Sequence, residues 1–488
     1  MASLEETRAE RLKKLEQLRE AGIDPYPVKT KRDYWLTEVV EKFETLSGKN
    51  KALSVAGRLR ARRGQGSIIF VDLDDGTAKL QLVLKLDELG EKSLSNFENL
   101  GDIGDFIQAT GTLFVTKQQE KSLLITDWKM LAKSLRALPD KHHGLQDVEE
   151  RFRRRYLDIL MSPSVKERFL LRSKIVTTIR QLLDKAGFLE VETPILQPSA
   201  GGASAEPFVA HHHALDIDLH LRVAPELYLK ELLIGGVPKI YEISRNFRNE
   251  GVDATHNPEF TTVEWYESFS DASKQRKLVE KIIKQTVKAS TGGTAVSFNG
   301  QQIDFAKPFA KVSYYDLLRR HALILNPESA SLKELRLKAE QLGLPLEVGD
   351  SSVKLLDAIY KKVCRPKLIQ PVFIVDYPLE YLPLAKRLNK KDDLVDAFQV
   401  VIGGLELVKA FSELNDPIDQ RRRFEGQDKS RAAGDREAQP NDEAFLEALE
   451  YGMPPAGGVG LGIDRLTMLL ADVKNIKEAI LFPTLRPK

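Results

Sequence analysis

A strand–turn–strand pattern in residues 245–266 constrains this chain more than any other segment. Its sequence, RNFRNEGVDATHNPEFTTVEWY, has strand-forming residues at both ends and a polar turn between them. Strand alternation predicts that Arg248 and Glu250 share one face before the turn. After the turn, the same rule places three even-numbered residues on one face: Phe260, Glu264 and Tyr266. The pattern therefore predicts a nucleotide site on antiparallel strands, with carboxylates for a positively charged second ligand.

Length and composition indicate a soluble protein of two or three domains, because 488 residues exceed one ordinary core. The net charge is +2, so any nucleic-acid surface has to be a local patch. The single cysteine, Cys364, leaves no internal disulfide and is typical of the reducing cytoplasm. No signal peptide is expected, since the N-terminus lacks an apolar core, and no apolar run of about 18 residues predicts a membrane span.

The N-terminal part of the chain predicts a charged helix and then a small barrel. The helix, at 3–21, either packs on the following domain or contacts a nucleic acid. Residues 53–130 contain five short β-rich segments, which is typical of the OB-fold barrel. Phe70 and Gln81 are candidates for stacking on a base and reading its edge. The alternative of equal weight is that Phe70 belongs to the core. In the same alternative, a cluster of basic residues on the first strand and turn is only a solvated edge of the barrel: Arg58, Arg60, Arg62 and Arg63.

The rest of the chain predicts an α+β domain. Residues 136–160 read as a linker and a basic helix, which is either solvated or in contact with another domain or a nucleic acid. Pro163 then starts a helix, and FLEVETPI follows it as a strand. Strands follow strands rather than alternating with helices, so we expect an antiparallel sheet flanked by helices. The expected domains are 1–50 (helical extension), 51–135 (barrel), 136–160 (linker) and 161–488, the last with a helical insertion in about 270–395.

Two sequence features look like known binding motifs, one for a dinucleotide and one for a metal ion, but we assign neither site. The glycine-rich stretch GGVGLGIDR reads as a turn into a helix, but no βαβ unit follows it, so it does not predict a dinucleotide fold. Its glycines instead bring the backbone close to a ligand, while Arg465 offers a planar fork to phosphate. The run His211, His212 and His213 does not predict a metal site, because neighbouring residues of a strand point to opposite faces.

Acidic residues lie inside an apolar strand pattern near the C-terminal third of the chain. Glu406 and Glu413 fall in VVIGGLELVKAFSELNDP, and Lys409, Phe411 and Glu413 share one face of the predicted strand. A buried acid needs a partner. The pattern therefore predicts either a Mg²⁺ ion beside phosphates or an ion pair with an ammonium group.

Taken together, these motifs resemble the class II aminoacyl-tRNA synthetases, and in particular the lysyl-tRNA synthetases. Residues 164–196, with Pro194, resemble the family's first motif, which forms the dimer interface. FRNEGVDATHNPEF resembles the second motif and GLGIDR the third. Further segments resemble the lysine-specific members: GIDPYP, PDKHHGLQD, RFRRRYLD, GGASAEPF, APELYLK, EFTTVEWY, FSELNDP and ALEYGMPPAGGVGLGIDR. The resemblance covers essentially the whole chain.

The resemblance implies a role for each matching residue. Arg248 and Arg465 are the expected catalytic residues. The expected ATP site is Arg248, Glu250, His256, Asn257, Phe260, Glu406 and Arg465. The expected lysine site is Gly202, Glu226, Arg248, Glu264, Tyr266, Lys409, Phe411 and Glu413. The expected anticodon contacts are Phe70, Gln81 and Glu120, and Glu406 is the expected metal ligand.

Three positions depart from the family pattern. Gln399 stands where the family usually has a second metal-binding acid, which leaves the number of Mg²⁺ ions open. Lys409 stands where an asparagine or a close equivalent is usual, and we hypothesise that its charge partly substitutes for a metal ion. Glu206 stands where an arginine or lysine is common.

The implied activity is a lysine–tRNA ligase: ATP and Mg²⁺ activate L-lysine, and tRNA(Lys) accepts it, in a cytoplasmic homodimer without a membrane partner. Two alternatives stay open at this point. The first is a ligase that attaches lysine to a protein such as elongation factor P, against which the barrel at 53–130 argues. The second is a tRNA-binding or regulatory protein that has lost catalysis. Four residues argue against it: Arg248, Glu250, Phe260 and Arg465.

Overall fold

The fold is known from a computed structural model that describes residues 3–139, 145–346, 350–389, 393–432 and 438–488. The chain divides into two compact units, Met1–Gly144 and Leu145–Lys488. Part of the predicted linker, residues 140–144, lies outside the described residues. No helix in the described ranges is long and apolar enough to span a bilayer.

The first unit is a five-stranded barrel with helices packed on it. Its helices are α1 (Leu4–Glu20), α2 (Leu36–Glu41), α3 (Phe43–Ser47), α4 (Leu86–Leu89) and α5 (Glu91–Leu100). Its strands are β1 (Leu53–Gln65), β2 (Ile68–Asp74), β3 (Lys79–Lys85), β4 (Phe106–Val115) and β5 (Lys121–Ala132). They close in the order β1-β2-β3-β5-β4, with β3 and β5 parallel. The prediction of an OB-like barrel is confirmed.

The N-terminal helices share the core of this barrel. Leu18 of α1, Val39 of α2 and Phe43 of α3 are fully buried in one cluster with strand residues such as Val55 and Leu82. The alternative that the first helix packs on the following domain is therefore the one that the structure favours.

The second unit contains the remaining elements of the described chain. Its helices are α6 (Val148–Arg153), α7 (Arg155–Met161), α8 (Pro163–Lys185), α9 (Glu226–Ile234), α10 (Ala272–Thr291), α11 (Tyr314–Leu317), α12 (Leu332–Gln341), α13 (Ser352–Ile359), α14 (Pro417–Ala432), α15 (Glu443–Glu450), α16 (Ile463–Leu470) and α17 (Ile476–Ala479). Two π-helical turns, Leu318–Ala322 and Tyr360–Cys364, follow α11 and α13, and short 3₁₀ helices span Arg365–Lys367 and Leu379–Tyr381.

The strands of this unit form one large sheet and two small ones. They are β6 (Leu189–Glu190), β7 (Leu196–Gln197), β8 (Val209–His212), β9 (Ile217–Leu221), β10 (Lys239–Phe247), β11 (Glu259–Ser268), β12 (Ala295–Phe298), β13 (Gln301–Asp304), β14 (Ala310–Ser313), β15 (Val372–Pro378), β16 (Leu394–Ile402), β17 (Leu405–Ser412) and β18 (Ala456–Gly462). The large sheet has the order β14-β15-β16-β17-β18-β11-β10-β6. It is antiparallel except at its two outer pairs, β14–β15 and β6–β10. The α+β fold on an antiparallel sheet is thus confirmed.

Alternation along the central strands gives the sheet one apolar face and one functional face. Val263 and Trp265 of β11 and Val408 of β17 are fully buried against the helices α8, α10 and α16. The residues between them point to the opposite face, as the period of two requires. That opposite face carries the side chains from which the candidate site is built.

Several local predictions were wrong. Strand β10 ends at Phe247, so Arg248 and Glu250 lie in the turn and not on a strand. The ladder of backbone hydrogen bonds between β10 and β11 stops there because Pro258 has no N–H to donate. The predicted strand in FLEVETPI shrinks to the two residues of β6. The stretch GGVGLG is a strand, β18, and not a turn. The insertion predicted as helical at 270–395 contains helices but also β12–β15, of which β14 and β15 belong to the large sheet.

The basic stretch before residue 161 packs within the second unit. The buried Arg155 guanidinium pairs with Asp158 at 2.7 Å and donates to the carbonyls of Lys477 and Leu481. The predicted single helix is two short ones, α6 and α7. The fully buried Arg155 makes this stretch part of the packed structure of the second unit.

Candidate active site

A cavity of about 280 Å³ opens on the functional face of the large sheet. Seven residues predicted for the nucleotide line it: Arg248, Glu250, His256, Asn257, Phe260, Glu406 and Arg465. Six residues predicted for the amino acid also line it: Gly202, Glu226, Glu264, Tyr266, Lys409 and Phe411. The structure therefore brings together two predicted sets that are far apart in the sequence.

One end of the cavity is built for an anion and a flat ring. The Arg248 guanidinium lies 5.0 Å from the centroid of the half-buried Phe260 ring. Its Nε is buried and has no hydrogen-bond partner among the described residues. A buried cationic donor without a partner is costly, so this group fits an anionic ligand beside a ring that stacks on Phe260.

A second arginine completes this end. Arg465, in the first turn of α16, donates to the carbonyl oxygen of Glu406 at 3.0 Å and lies 3.1 Å from Nε2 of His256. Burial, with nearby Arg365 and Arg248, lowers the pKa of Arg465, which nevertheless stays charged at neutral pH. Two guanidinium groups at one end of a cavity suit a polyphosphate.

The other end of the cavity holds a cluster of buried acids. Glu226 begins α9, Glu264 lies in β11 and Glu413 follows β17; their exposed fractions are 7%, 8% and 1%. The Tyr266 hydroxyl donates to Glu264 at 3.2 Å. Burial, reinforced by the Glu226 carboxylate, raises the pKa of Glu264 to about 8. Such a cluster is stable as carboxylates only when positive groups neutralise it.

The sequence reasoning missed a buried cation in this cluster. Lys230 of α9 is fully buried, and its ammonium lies 2.6 Å from Glu226 Oε1 and 2.6 Å from Glu413 Oε2. Glu413 is not among the residues that line the cavity, but its Oε1 lies where a Cβ on the cavity-facing Gly458 would stand, and its Oε2 pairs with Lys230. The segment APELYLKELL could have predicted the pair of Glu226 with Lys230, because these residues are four apart and share a helix face.

The polar pair beside the nucleotide end is Gln399 and Lys409, which stand opposite each other on β16 and β17. The amide oxygen of Gln399 accepts a hydrogen bond of 2.8 Å from Tyr377, and Gln399 does not line the cavity. Lys409 does, and its enclosure by protein lowers its pKa although the nearby Glu406 carboxylate opposes this. The third departing residue, Glu206, also lies off the cavity, where its carbonyl accepts from Asn249.

The side chains at this site can hold a metal ion only if a nucleotide and water supply most of its ligands. The described residues include no group of three or more metal-ligating side chains. Glu406, the predicted metal ligand, lines the cavity, as does the carboxylate of Glu250. Mg²⁺ is commonly bound by one or two carboxylates, substrate phosphates and water. Glu406 alone is therefore compatible with Mg²⁺ that arrives with a nucleotide.

In the barrel, the structure places the predicted anticodon residues on or near the outer surface. Phe70 and Gln81 are partly buried on strands whose alternate residues fill the core. The Gln81 amide oxygen accepts from Ser122 at 2.9 Å, and Glu120 is exposed in the turn before β5. The alternative that Phe70 belongs to the core is not what the structure has.

The fold and the cavity together define a class II tRNA synthetase. The model of class II tRNA synthetases (D, K and N) matches residues 147–486, and that of the OB-fold nucleic acid binding domain matches residues 53–131. Lysine–tRNA ligases are similar over the full length. That of Moorella thermoacetica is 47% identical over 480 residues, covering 98% of both chains. That of Carboxydothermus hydrogenoformans is 46% identical, covering 98% of this chain and 97% of its own, and that of Syntrophomonas wolfei is 44% identical, covering 100% and 98%. The chain belongs to the lysine–tRNA ligase family.

Proposed function

We propose that this protein activates L-lysine with ATP and transfers it to the 3′-hydroxyl of the terminal adenosine of tRNA(Lys). One observation carries the choice of lysine: the carboxylates of Glu226, Glu264 and Glu413 are buried together at the cavity. A site built to neutralise buried acids rejects an amino acid that lacks the matching cation, because its own groups stay unpaired. An aspartate site would need a cation at that place.

The proposed roles follow the two ends of the cavity. Phe260 stacks on adenine, Arg248 binds the α-phosphate and the lysine carboxylate, and Arg465 binds the γ-phosphate. Glu250, His256 and Asn257 complete the ATP site. At the other end Gly202 and Glu226 receive the α-amino group, and the ε-ammonium lies between Glu264, Glu413 and Tyr266, beside Phe411.

The proposed chemistry needs no protein nucleophile. A carboxylate oxygen of lysine forms a bond to the α-phosphorus while the bond to the bridging oxygen breaks, which yields lysyl-adenylate and pyrophosphate. The tRNA hydroxyl then attacks the lysyl carbonyl, and AMP leaves. Arg248 and Arg465 accelerate the first step by aligning the reactants and stabilising charge on the phosphates.

Mg²⁺ would be held by Glu406 together with the phosphates, and would supply positive charge to them. Gln399 offers no charge, while Lys409 places an ammonium in the same cavity. We therefore keep the hypothesis that Lys409 partly substitutes for a metal charge. The double variant Gln399→Glu with Lys409→Asn should bind Mg²⁺–ATP with a changed dependence on Mg²⁺ concentration, measured by direct nucleotide binding. An unchanged dependence contradicts the hypothesis.

The partners belong to the same proposal. The barrel reads the anticodon through Phe70, Gln81 and Glu120. A homodimer is supported by exposed apolar side chains around the segment that resembles the first motif: Leu170, Leu189, Ile195 and Leu196. The buried Cys364, the single cysteine of the sequence, suits the reducing cytoplasm in which we place the enzyme.

Two assays on the purified protein test this function. Lysine-dependent exchange of pyrophosphate into ATP reports activation, and charging of tRNA(Lys) reports transfer. We expect both. Exchange without charging, with lysine attached to elongation factor P instead, would favour the protein ligase, whereas tRNA binding without exchange would favour a protein that has lost catalysis.

A further inference from the structure

Lys230 is a fully buried lysine at the acidic end of the active-site cavity. Its ammonium contacts one oxygen of Glu226 and one oxygen of Glu413, both at 2.6 Å. The rings of Phe411 and Phe445 lie 5.5 and 6.0 Å from the same nitrogen. Lys230 does not line the cavity, so it positions a ligand through the two glutamates and not by contact.

The contacts of Lys230 keep it charged. Burial by itself lowers the pKa of a lysine, but the Glu226 and Glu413 carboxylates outweigh it and raise the pKa of Lys230. Aromatic rings at these distances add a favourable interaction with a cation. The buried ammonium is thus a permanent part of the site.

Lys230 uses only one oxygen of Glu413. Both Glu413 oxygens are buried without a hydrogen-bond partner among the described residues, and Oε1, unlike Oε2, has no ion pair there either. Oε1 points towards Gly458, where a Cβ atom would come within 2.0 Å of it, and towards the Tyr266 ring. Tyr266, Glu226 and Glu264 line the cavity. A buried, unsatisfied acceptor beside the cavity indicates a donor that a ligand supplies.

Without a ligand, burial raises the pKa of Glu264 and of Glu413, so protons help to neutralise this group of acids. Glu226, Glu264 and Glu413 can carry three negative charges, and Lys230 supplies one positive charge. When all three are ionised, two negative charges remain without an ion-pair partner among the described residues. An amino acid with a second ammonium group at the end of its side chain carries two positive charges.

We propose that Lys230 is a positioning residue that holds one oxygen of Glu226 and one of Glu413, and so sets the capacity of the pocket to two ammonium groups. This inference rests on the proposed function, because it concerns the recognition of the same amino acid. It adds that specificity depends on an internal lysine that does not touch the substrate.

The test compares lysine-dependent pyrophosphate exchange by the full-length protein and three variants. Lys230→Met removes the charge at nearly the same volume, and Lys230→Arg keeps the charge. The matched control is Lys133→Met, since Lys133 is also fully buried and pairs with Asp102 and Asp105, but lies in the first unit. The measured quantities are kcat, the KM for lysine, the KM for ATP and the melting temperature.

Removing the charge should raise the KM for lysine on the order of 100-fold, because a buried carboxylate loses its partner. The KM for ATP should stay close to that of the wild type. Lys230→Arg should raise the lysine KM less, and Lys133→Met should leave it unchanged even where the melting temperature falls. A wild-type lysine KM in Lys230→Met, or equal losses in the Met and Arg variants, would overturn the proposal.

A second comparison covers the case in which Lys230→Met does not fold. Glu413→Gln alone leaves capacity for one ammonium, whereas Lys230→Met combined with Glu413→Gln restores capacity for two. The double variant should therefore have a lysine KM roughly tenfold lower than Glu413→Gln, as coupled neighbours allow. Equal KM values in the two contradict the proposal. A wild-type protein without lysine-dependent exchange would instead refute the proposed function itself.

Discussion

At the scale of single residues, the site is dominated by buried acids whose charged forms are unfavourable without a ligand. Glu264 is buried, and burial together with Glu226 raises its pKa to about 8. In the unfolded chain a glutamate has a pKa of about 4.3. Between these two values the folded protein holds a proton that the unfolded chain does not, so the contribution of Glu264 to stability falls as the pH rises. Under the proposed function, the site trades stability for recognition of a cation.

Glu264→Gln tests this trade. The KM for lysine should rise on the order of 100-fold, since a charge-assisted contact is lost. At pH 8 the ligand-free variant should melt at the same temperature as the wild type or higher, because no buried carboxylate has to ionise. Exchange kinetics and thermal unfolding between pH 6 and 8 measure both effects.

Glu267→Gln is the matched control, since Glu267 lies on the same strand, pairs with Lys239 at 2.9 Å and does not line the cavity. It should leave the lysine KM unchanged. A Glu264→Gln protein that keeps wild-type lysine kinetics, or that is less stable than the wild type at pH 8, contradicts the role given to Glu264.

At the scale of elements, period-two alternation explains how much of the site the sequence could predict. Phe260, Glu264 and Tyr266 fall on one face of β11, as expected from their spacing. The turn that carries Arg248 could not be placed, because its path depends on the Pro258 carbonyl and on Glu206. The role of Lys230 was not predicted, because it depends on a contact with Glu413, which is distant in the sequence.

Strand β18 was predicted as a turn because glycine is rare inside strands. Its alternate residues Val459 and Leu461 are buried in the helical core, whereas the glycines between them face the cavity. Side chains at those positions would fill the site. The composition of this strand therefore follows from the ligand space and not from backbone freedom.

Gly458→Ala tests the element-scale account. Its Cβ would come within 2.0 Å of Glu413 Oε1 and 2.4 Å of the Tyr266 ring, so the acidic end of the cavity has to rearrange. We expect the KM for lysine to rise by roughly 100-fold, in line with the cost of overpacking and of a disturbed buried acid. Steady-state exchange measures it.

The comparison variant is Gly460→Ala, two residues along the same face, where the nearest atom would be Glu264 Cγ at 3.8 Å, an ordinary contact. Its effect on the lysine KM should be at least tenfold smaller. Equal effects at both positions would mean that β18 tolerates no side chain for reasons of backbone geometry alone.

At the scale of the whole molecule, the chain combines a barrel for nucleic acid with a catalytic unit. Five short β-rich segments were enough to predict the barrel, because its strands alternate regularly between core and surface. The prediction of a helical insertion at 270–395 was less successful, since β14 has only four residues and β15 is buried along almost its whole length, so neither shows alternation. The domain boundaries at residues 50, 135 and 160 remain predictions.

Phe70→Ala tests the role of the barrel. Loss of one stacking ring costs about 1–3 kcal/mol, so kcat/KM for tRNA(Lys) should fall roughly 10- to 100-fold. Pyrophosphate exchange should not change, because it needs no tRNA. The control is Phe106→Ala, an outward-facing ring of β4 that lies under Arg58. Equal losses of charging in both variants would show that Phe70 acts only through barrel stability.

The most direct test of the whole account is the amino-acid dependence of pyrophosphate exchange by the wild-type protein, with lysine, norleucine, asparagine and aspartate at equal concentrations. A pocket that needs an ammonium group should favour lysine over the neutral norleucine by roughly 10⁴-fold in kcat/KM, with no exchange above background for asparagine or aspartate. Exchange with norleucine within tenfold of lysine, or any aspartate-dependent exchange, would contradict the assignment of the acidic end of the cavity to the lysine side chain.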